Sequence, residues 1–522
     1  MEARHIVIEA GEIAEAETPR ASLIRYSPAL VLLIVAIIDI QRWADPDLWG
    51  HVAFGSAMLA HYRIGMRDTY SYSAHWHLWL NHEWLSELLM GATYKACGII
   101  GLKLMKFACS AAVCLSLMLG LAETDAPMTT QLAGLLWVSV IIAPQMQFRP
   151  QMFTFALTSA LMALLARYTY RGSAPIWLAV PMLAAWANLH GGFIAGVVAL
   201  GLFSIVSIAQ DQMEDHRGRP SWWLPAIFGA CVLATLATPY GIGTWRAVAH
   251  ALANPATRDV IEDWQPLLTA LVSIWHRNPG AAIPSVLGLA MFVAFATSLV
   301  MARRRDDLAL VAVAIVMIVA AFISMRNLPL AAIACVIPLT QHGSYVFRLS
   351  EIPPRLGWMR QTLLAVVASL LLIESGLFSP TMRAGSPKPV GAIAFMQEAG
   401  LSGNILNEFS WGEYLIWHMT PTSKVFIDGR YDTVYPSAVI DDYLSFISGG
   451  PRAHEMLRKH AHEFILVRSE DTAALAVLGS EAGWIRLYRD ATCVLFVRSD
   501  AKASSMTPVD VTADETPASD FP

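Results

Sequence analysis

Asp45-Pro46-Asp47-Leu48-Trp49-Gly50-His51 sits just beyond the first apolar run of the chain. Two carboxylates and an imidazole fall within seven residues, at a predicted exit from a membrane. Ionisable groups at that depth are costly unless they face water, a partner or a substrate. The segment therefore poses the fold question: how many spans surround it, and on which side of the membrane it lies.

The composition narrows the answer. Of 522 residues, 55% are hydrophobic and 15% charged, and the mean hydropathy is +0.48. That is too apolar for an ordinary soluble protein and too long for one compact domain. A net charge of −5 leaves no basic footprint for nucleic acid. The six cysteines form no CxxC or Cys/His cluster, so neither a disulfide framework nor a zinc site is supported. Met1 to Pro19 is polar and acidic and lacks the pattern of a cleavable secretory signal, so the first apolar run is expected to remain as an anchor.

A span needs about 20 mainly apolar residues. Candidates lie near 27–41, 101–121, 131–146, 150–168, 174–189, 192–210, 222–238, 284–302, 308–324, 327–341 and 360–378. Positive charge sets their direction. Arg20 and Arg25, Arg167 and Arg171, Arg217 and Arg219, Arg303 to Arg305, and Arg355 with Arg360 fall on one side, which this rule assigns to the cytoplasm. The opposite loops are rich in His, Trp, Asn and Asp, and the Asp45 loop is among them. Trp84 to Cys97 is apolar enough to tempt a further span, but counting it would place the arginine clusters outside. It is short and carries Glu87 and Lys95, with Glu83 just ahead of it, so it is read as a helix in the outer interface. The predicted fold is thus an α-helical polytopic membrane protein of about 11 spans, with a cytoplasmic tail over 1–26, a membrane domain over 27–380 and a first outer loop over 42–100. Residues 388–500 alternate strand-like and helix-like pieces, predicting a small extracytoplasmic α/β domain with a largely parallel sheet. The Ser/Thr/Asp/Pro-rich stretch over 501–522 is expected to be disordered. No internal repeat supports the paired halves of many transporters.

Several residue groups can carry chemistry. Asp47 and His51 stand four apart and share a face if a helix begins near Asp47. Asp45, Asp47 and His51 suit a divalent cation such as Mg or Mn. Alternatively, Asp47 is a general base toward an acceptor hydroxyl, or the acidic pair is ordinary helix N-cap chemistry. The stretch from Arg67 to Trp84 mixes polar and aromatic side chains as a sugar site would, and Asn81, His82 and Glu83 are its polar core. An interfacial aromatic belt explains the tryptophans equally well. Arg149 and Arg326 fall on the outer side against the charge trend, which a lipid phosphate or a structural pair with a carboxylate such as Asp39 would explain. His190, before Gly191-Gly192, is a site candidate or a tight bend. The loop Glu262-Asp263-Trp264 is a possible cover or a solvated loop. In the C-terminal region, Trp411 and Tyr414 open a helix, and Asp428-Gly429-Arg430 follows a strand, where open α/β sheets often bind ligands.

Together these residues resemble the GT-C superfamily of polytopic glycosyltransferases. The likeness is strongest across 27–170. Asp47 takes the Asp place of the Asp-Glu pair in the aminoarabinose and protein mannosyltransferase branch, with Leu48 where the Glu stands, and Met58-Leu59 closes the helix. Asn81 to Cys97 matches the family's interfacial helix. Asp45-Pro46-Asp47 with His51 is similar to the metal-holding acidic motif of the oligosaccharyltransferase branch, and Trp411-Gly412-Glu413-Tyr414 is faintly similar to its acceptor motif. The overall likeness is to bacterial GT-C-like membrane proteins. The resemblance implies transfer of a sugar from a polyprenyl-phosphate-linked donor to a lipid, glycan or protein acceptor on the periplasmic face of the inner membrane. It assigns Asp47 as base or metal ligand, with Asp45 and His51 beside it. Asn81, His82, Glu83, Arg149, His190, Arg326, Trp411, Tyr414, Asp428 and Arg430 are the candidate substrate-binding residues. The alternative is a non-catalytic component of a polysaccharide or lipid assembly or export system.

Overall fold

The structure, a computed structural model, describes residues 27–213, 221–253, 262–302, 306–346, 358–512 and 520–521. The 1–26 tail and the direction-setting residues Arg20, Arg25, Arg217, Arg219, Arg303 to Arg305 and Arg355 lie outside the described residues.

Each apolar run picked out in the sequence lies on a helix. Among the described residues, five helices are long and apolar enough to cross a membrane: Trp84–Ala122, Met128–Gln145, Gln151–Arg171, Phe193–Gln212 and Pro279–Ala302. Shorter apolar helices include Pro28–Ile38, Ile176–Leu189, Leu224–Ala234 and Leu308–Ile323. Large apolar side chains such as Val293, Val300, Ile315, Val319, Leu363 and Leu370 point away from the protein, the arrangement that lipid tails favour. Buried charged groups among these helices find partners within the protein. Lys106 meets Asp39 at 3.1 Å and also donates to the Asp39 and Gln41 carbonyls. Asp39 is therefore Lys106's partner and not that of Arg149.

The interfacial helix expected over Trp84–Cys97 leads directly into the next span, and Gly98 kinks the junction at φ 59°, ψ −149°, a conformation open to glycine. The Leu48–His61 helix packs across its first half at Gly55 and Gly91. A carbon on Gly91 would lie 2.6 Å from the Gly55 carbonyl carbon, and one on Gly55 would collide with the Glu87 carbonyl oxygen. Only backbone fits between these helices.

Among the described residues the C-terminal region carries eight strands: β1 (Met382–Arg383), β2 (Asn404–Asn407), β3 (Lys424–Val425), β4 (Phe464–Arg468), β5 (Trp484–Arg489), β6 (Cys493–Arg498), β7 (Val509–Asp510) and β8 (Asp520–Phe521). Six form one sheet in the order β3-β2-β4-β6-β5-β7. The sheet is mixed, correcting the largely parallel expectation. β3-β2-β4 run parallel, whereas β6 is antiparallel to both β4 and β5. The three residues between Arg489 and Cys493 are too few for a crossover, so β5 and β6 can only form a hairpin. The expectation of a disordered 501–522 stretch also fails for its described residues. β7 extends the sheet beside β5, β8 pairs with β1, and Phe521 is buried against Trp49, Tyr94 and Trp417.

The loop over 42–100 is stitched to this region. Tyr72 N–H donates to the Val425 carbonyl, and Val425 N–H donates to that of Tyr70, so the loop covers the edge of β3. On the other flank, Ala44 N–H donates to the Arg383 carbonyl and Gly385 N–H to that of Ala44. These two seams close a space between the membrane helices and the C-terminal region.

Candidate active site

That space is a cavity of about 610 Å³. Asp47, His51, Asn81, His82, Glu83, Arg149, His190, Arg326 and Arg430 all line it, although they come from six separate stretches of chain. Asp263 and Trp264 of the long outer loop line it too.

Asp47 stands at the N-cap position of the Leu48–His61 helix without a capping bond from its side chain, and its N–H is held by Asp45 Oδ1 at 3.0 Å. Asp45 itself is buried and does not reach the cavity. Arg149 stands against both: Nε is 2.6 Å from Asp45 Oδ1, and a terminal nitrogen is 3.1 Å from Asp47 Oδ2. The other terminal nitrogen lies 3.9 Å from Asp263. Burial raises the Asp45 carboxyl above its ordinary value, Arg149 opposes that, and the neighbouring Asp47 adds to it.

His51 turns away from these carboxylates. Its Nδ1 lies 3.4 Å from Glu87 Oε1, and Asn81 Nδ2 donates to Glu87 Oε2 at 2.5 Å. Burial would lower the His51 imidazole, but the Glu87 bond and the charges of Glu83, Glu87 and Asp47 raise it above 6.5. The expected metal set of Asp45, Asp47 and His51 is therefore not assembled: two members face a guanidinium and the third faces Glu87.

Glu83 is the hub of a second group, 3.7 Å from His82 Nε2 and 3.5 Å from His190 Nε2. Burial would raise its carboxyl, yet His82, His190, His51 and Arg326 hold it below its ordinary value. His190 Nδ1 accepts from the Gly192 N–H at 2.9 Å, which assigns the imidazole proton to Nε2, on the Glu83 side. Burial keeps this ring neutral, with its pKa lowered to about 3. His190 is thus both the bend of the chain and part of the cavity wall. Arg326 lies over the Trp264 ring at 4.4 Å and makes no ion pair among the described residues.

Four candidates do other work. Trp411 and Tyr414 are buried and do not line the cavity, Trp411 donating to the Pro387 carbonyl at 2.9 Å. Asp428 also lies behind the wall. It grips Arg430 at Nε (2.8 Å) and at a terminal nitrogen (2.6 Å) and accepts from Tyr435. Arg430 reaches on to Asp68 at 2.7 Å, and the rings of Phe54, Tyr70 and Trp79 surround its guanidinium at 5.1, 5.3 and 4.8 Å. Although Arg430 lines the cavity, its charge is consumed by two carboxylates. Tyr70 and Trp79, from the aromatic stretch expected to suit a sugar, lie around this arginine, and Trp79 also lines the cavity.

Sequence reasoning missed Glu413 and Glu87. Glu413 lies between Trp411 and Tyr414, the only members of that stretch singled out. It lines the cavity, is buried, and its Oε2 has no hydrogen-bond partner. It meets Asp47 over Gly429: a side-chain carbon there would sit 2.5 Å from Asp47 Oδ1 and 2.8 Å from Glu413 Oε1. Burial, then Asp47 and Asp428, push the Glu413 carboxyl well above its ordinary value. Leu48 is fully buried and does not line the cavity, whereas Glu413, on the same side as Asp47, does. Its signal was an acid inside an apolar helix, and the same signal marked Glu87.

No protein-family model matches the chain, and no curated protein matches it. Solved structures do. An oligosaccharyltransferase, AglB, of Archaeoglobus fulgidus in complex with an inhibitory peptide and a dolichol-phosphate superposes with a TM-score of 0.50, 12% identity, and coverage of 92% of this chain and 74% of that one. An apo Archaeoglobus fulgidus oligosaccharyltransferase gives 0.51 and 12%, covering 90% of this chain and 74% of that one. The mycobacterial arabinofuranosyltransferase AftD gives 0.52 and 14%, covering 92% of this chain and 42% of that one. Over about nine tenths of its length the chain therefore shares the fold of these solved glycosyltransferase structures.

Proposed function

We propose that the chain is an inverting membrane glycosyltransferase, moving a sugar from a polyprenyl-phosphate-linked donor to an acceptor on the outer, periplasmic face of a bacterial inner membrane. The N-terminus is then cytoplasmic and the C-terminal region periplasmic. The observation that carries this reading is the convergence of Asp47, Glu83, His190 and Arg326 on one cavity between the membrane helices and the C-terminal region.

The two ends of the cavity suit the two ends of a lipid-linked sugar. Val198, Val316 and Ile323 line it and are exposed, giving an apolar flank for a prenyl chain. Arg326 is the cation for the phosphate, because Arg149 is held by Asp45 and Asp47 whereas Arg326 makes no ion pair among the described residues. Stabilising the oxygen on which charge develops is where such a group contributes most. Asp47 accepts the acceptor's hydroxyl proton as that oxygen attacks the anomeric carbon from the face opposite the phosphate. Glu413, brought by the C-terminal region, stands beside it on the acceptor side. Asn81, His82, Glu83 and His190 bind the sugar hydroxyls. Asp45, Asp428, Trp411 and Tyr414 shape the site from behind.

The test is transfer by purified full-length protein from a panel of polyprenyl-phosphoryl sugars to a mixed extract of envelope acceptors. Transfer by the parent that vanishes in Asp47→Asn supports the reading. Equal transfer by both sinks the mechanism, and no transfer from any donor sinks the function.

A further inference from the structure

Asp45 and Asp47 are the feature of the outer loop that most invites a divalent cation, and their surroundings do not fit one. Arg149 is already there, within 2.6 Å of one carboxylate and 3.1 Å of the other. Among the described residues no group of three His, Cys, Asp or Glu side chains is placed to hold a metal. Histidine, the softer ligand in the motif, is turned to Glu87. The chain also fixes Arg149 in place: Pro150 restricts the backbone before it, and the Arg149 carbonyl accepts the Met152 N–H at the first turn of the Gln151–Arg171 helix. A guanidinium cannot give up its proton at any workable pH, so a dication on these oxygens would face a permanent like charge.

We propose that Arg149 is the built-in cation of the acidic pair. It sets the spacing of Asp45 and Asp47, carries the positive charge that a metal would bring, and excludes the metal from their oxygens. It is a positioning residue, acting on the acceptor through Asp47. Metal-free transfer rests on the proposed function, whereas exclusion of the ion does not, so the two can fail separately.

Mn²⁺ titrated into the purified full-length protein, read by electron paramagnetic resonance, is the test. Wild type is expected to bind no Mn²⁺ that Asp47→Asn removes. Arg149→Gln is expected to gain one Mn²⁺ site, abolished in the double variant R149Q/D47N, and Arg149→Lys to gain none. Transfer by wild type should be unchanged by EDTA. One equivalent of Mn²⁺ bound by wild type and lost in Asp47→Asn overturns the proposal, as does EDTA-sensitive transfer restored by Mn²⁺. Should Arg149→Gln fail to fold, the wild-type titration still decides.

Discussion

Arg430 donates to Asp68 across 2.7 Å, joining residues that lie 362 positions apart. Both are buried, and with Asp428 they form a three-membered clamp fastening the outer loop to the C-terminal region. Removing one member of a buried ion pair strands the rest, at about 3–5 kcal/mol. Arg430→Met should therefore lower the unfolding free energy by roughly that amount, measured by denaturation in detergent. A melting temperature within a degree of wild type would show that the clamp is dispensable.

Asp47→Asn keeps the shape of the side chain and removes its basicity. A positioned general base contributes about 10²–10⁴-fold, so transfer should fall by at least about 100-fold. Single-turnover kinetics would separate this from slower donor binding.

Arg326→Gln removes the cation assigned to the phosphate. Loss of one stabilising donor costs about 10²–10³ in kcat. Arg326→Lys should recover part of it, because lysine keeps the charge but not the planar fork. A variant with kcat intact and only KM raised would make Arg326 a binding group without a share in the transition state.

Glu413 has a folded-state pKa raised above its unfolded value. Its stability contribution is then fully present below the ordinary carboxylate value and lost as pH rises through the elevated one. Glu413→Gln removes that loss. The variant should melt higher than wild type at pH 7 to 8 and match it near pH 4. Equal melting temperatures across the range would mean that the carboxyl finds a partner in solution.

His51 also has a raised folded-state pKa, held up by Glu87, Glu83 and Asp47. The stability it confers is complete below about 6.5 and disappears as pH climbs through its elevated value. His51→Gln should flatten this part of the stability profile, which a pH series of thermal melts would reveal.

The apolar helices were legible because a long apolar run leaves few alternatives, although only five of them are long and apolar enough to cross a membrane among the described residues. Asp47, the Asn81–Glu83 cluster and Arg326 were legible because charge at a membrane exit is expensive and invites a reason. Pairings between distant stretches were not. Nothing in Arg149 or Arg430 says that the one will find Asp45 and Asp47 and the other Asp68; both are settled by packing of elements far apart in sequence. Trp411 and Tyr414 misled because aromatic residues serve cores more often than sugars, while Glu413 between them was the informative residue. The mixed sheet is hidden by the alternation of strand-like and helix-like pieces, and only the three-residue link between Arg489 and Cys493 betrays the hairpin.

The glycine contact between the Leu48–His61 and Trp84–Ala122 helices bears on all of this in one further way. Gly55 and Gly91 set the separation of the two backbones by contact alone, and that separation determines how far Glu87 stands from His51. A distance fixed by steric exclusion carries no counterion atmosphere and is not screened by salt, unlike one held by surface charges. This corner of the cavity should therefore keep its shape from low to high ionic strength, and any salt dependence of the protein has to arise elsewhere.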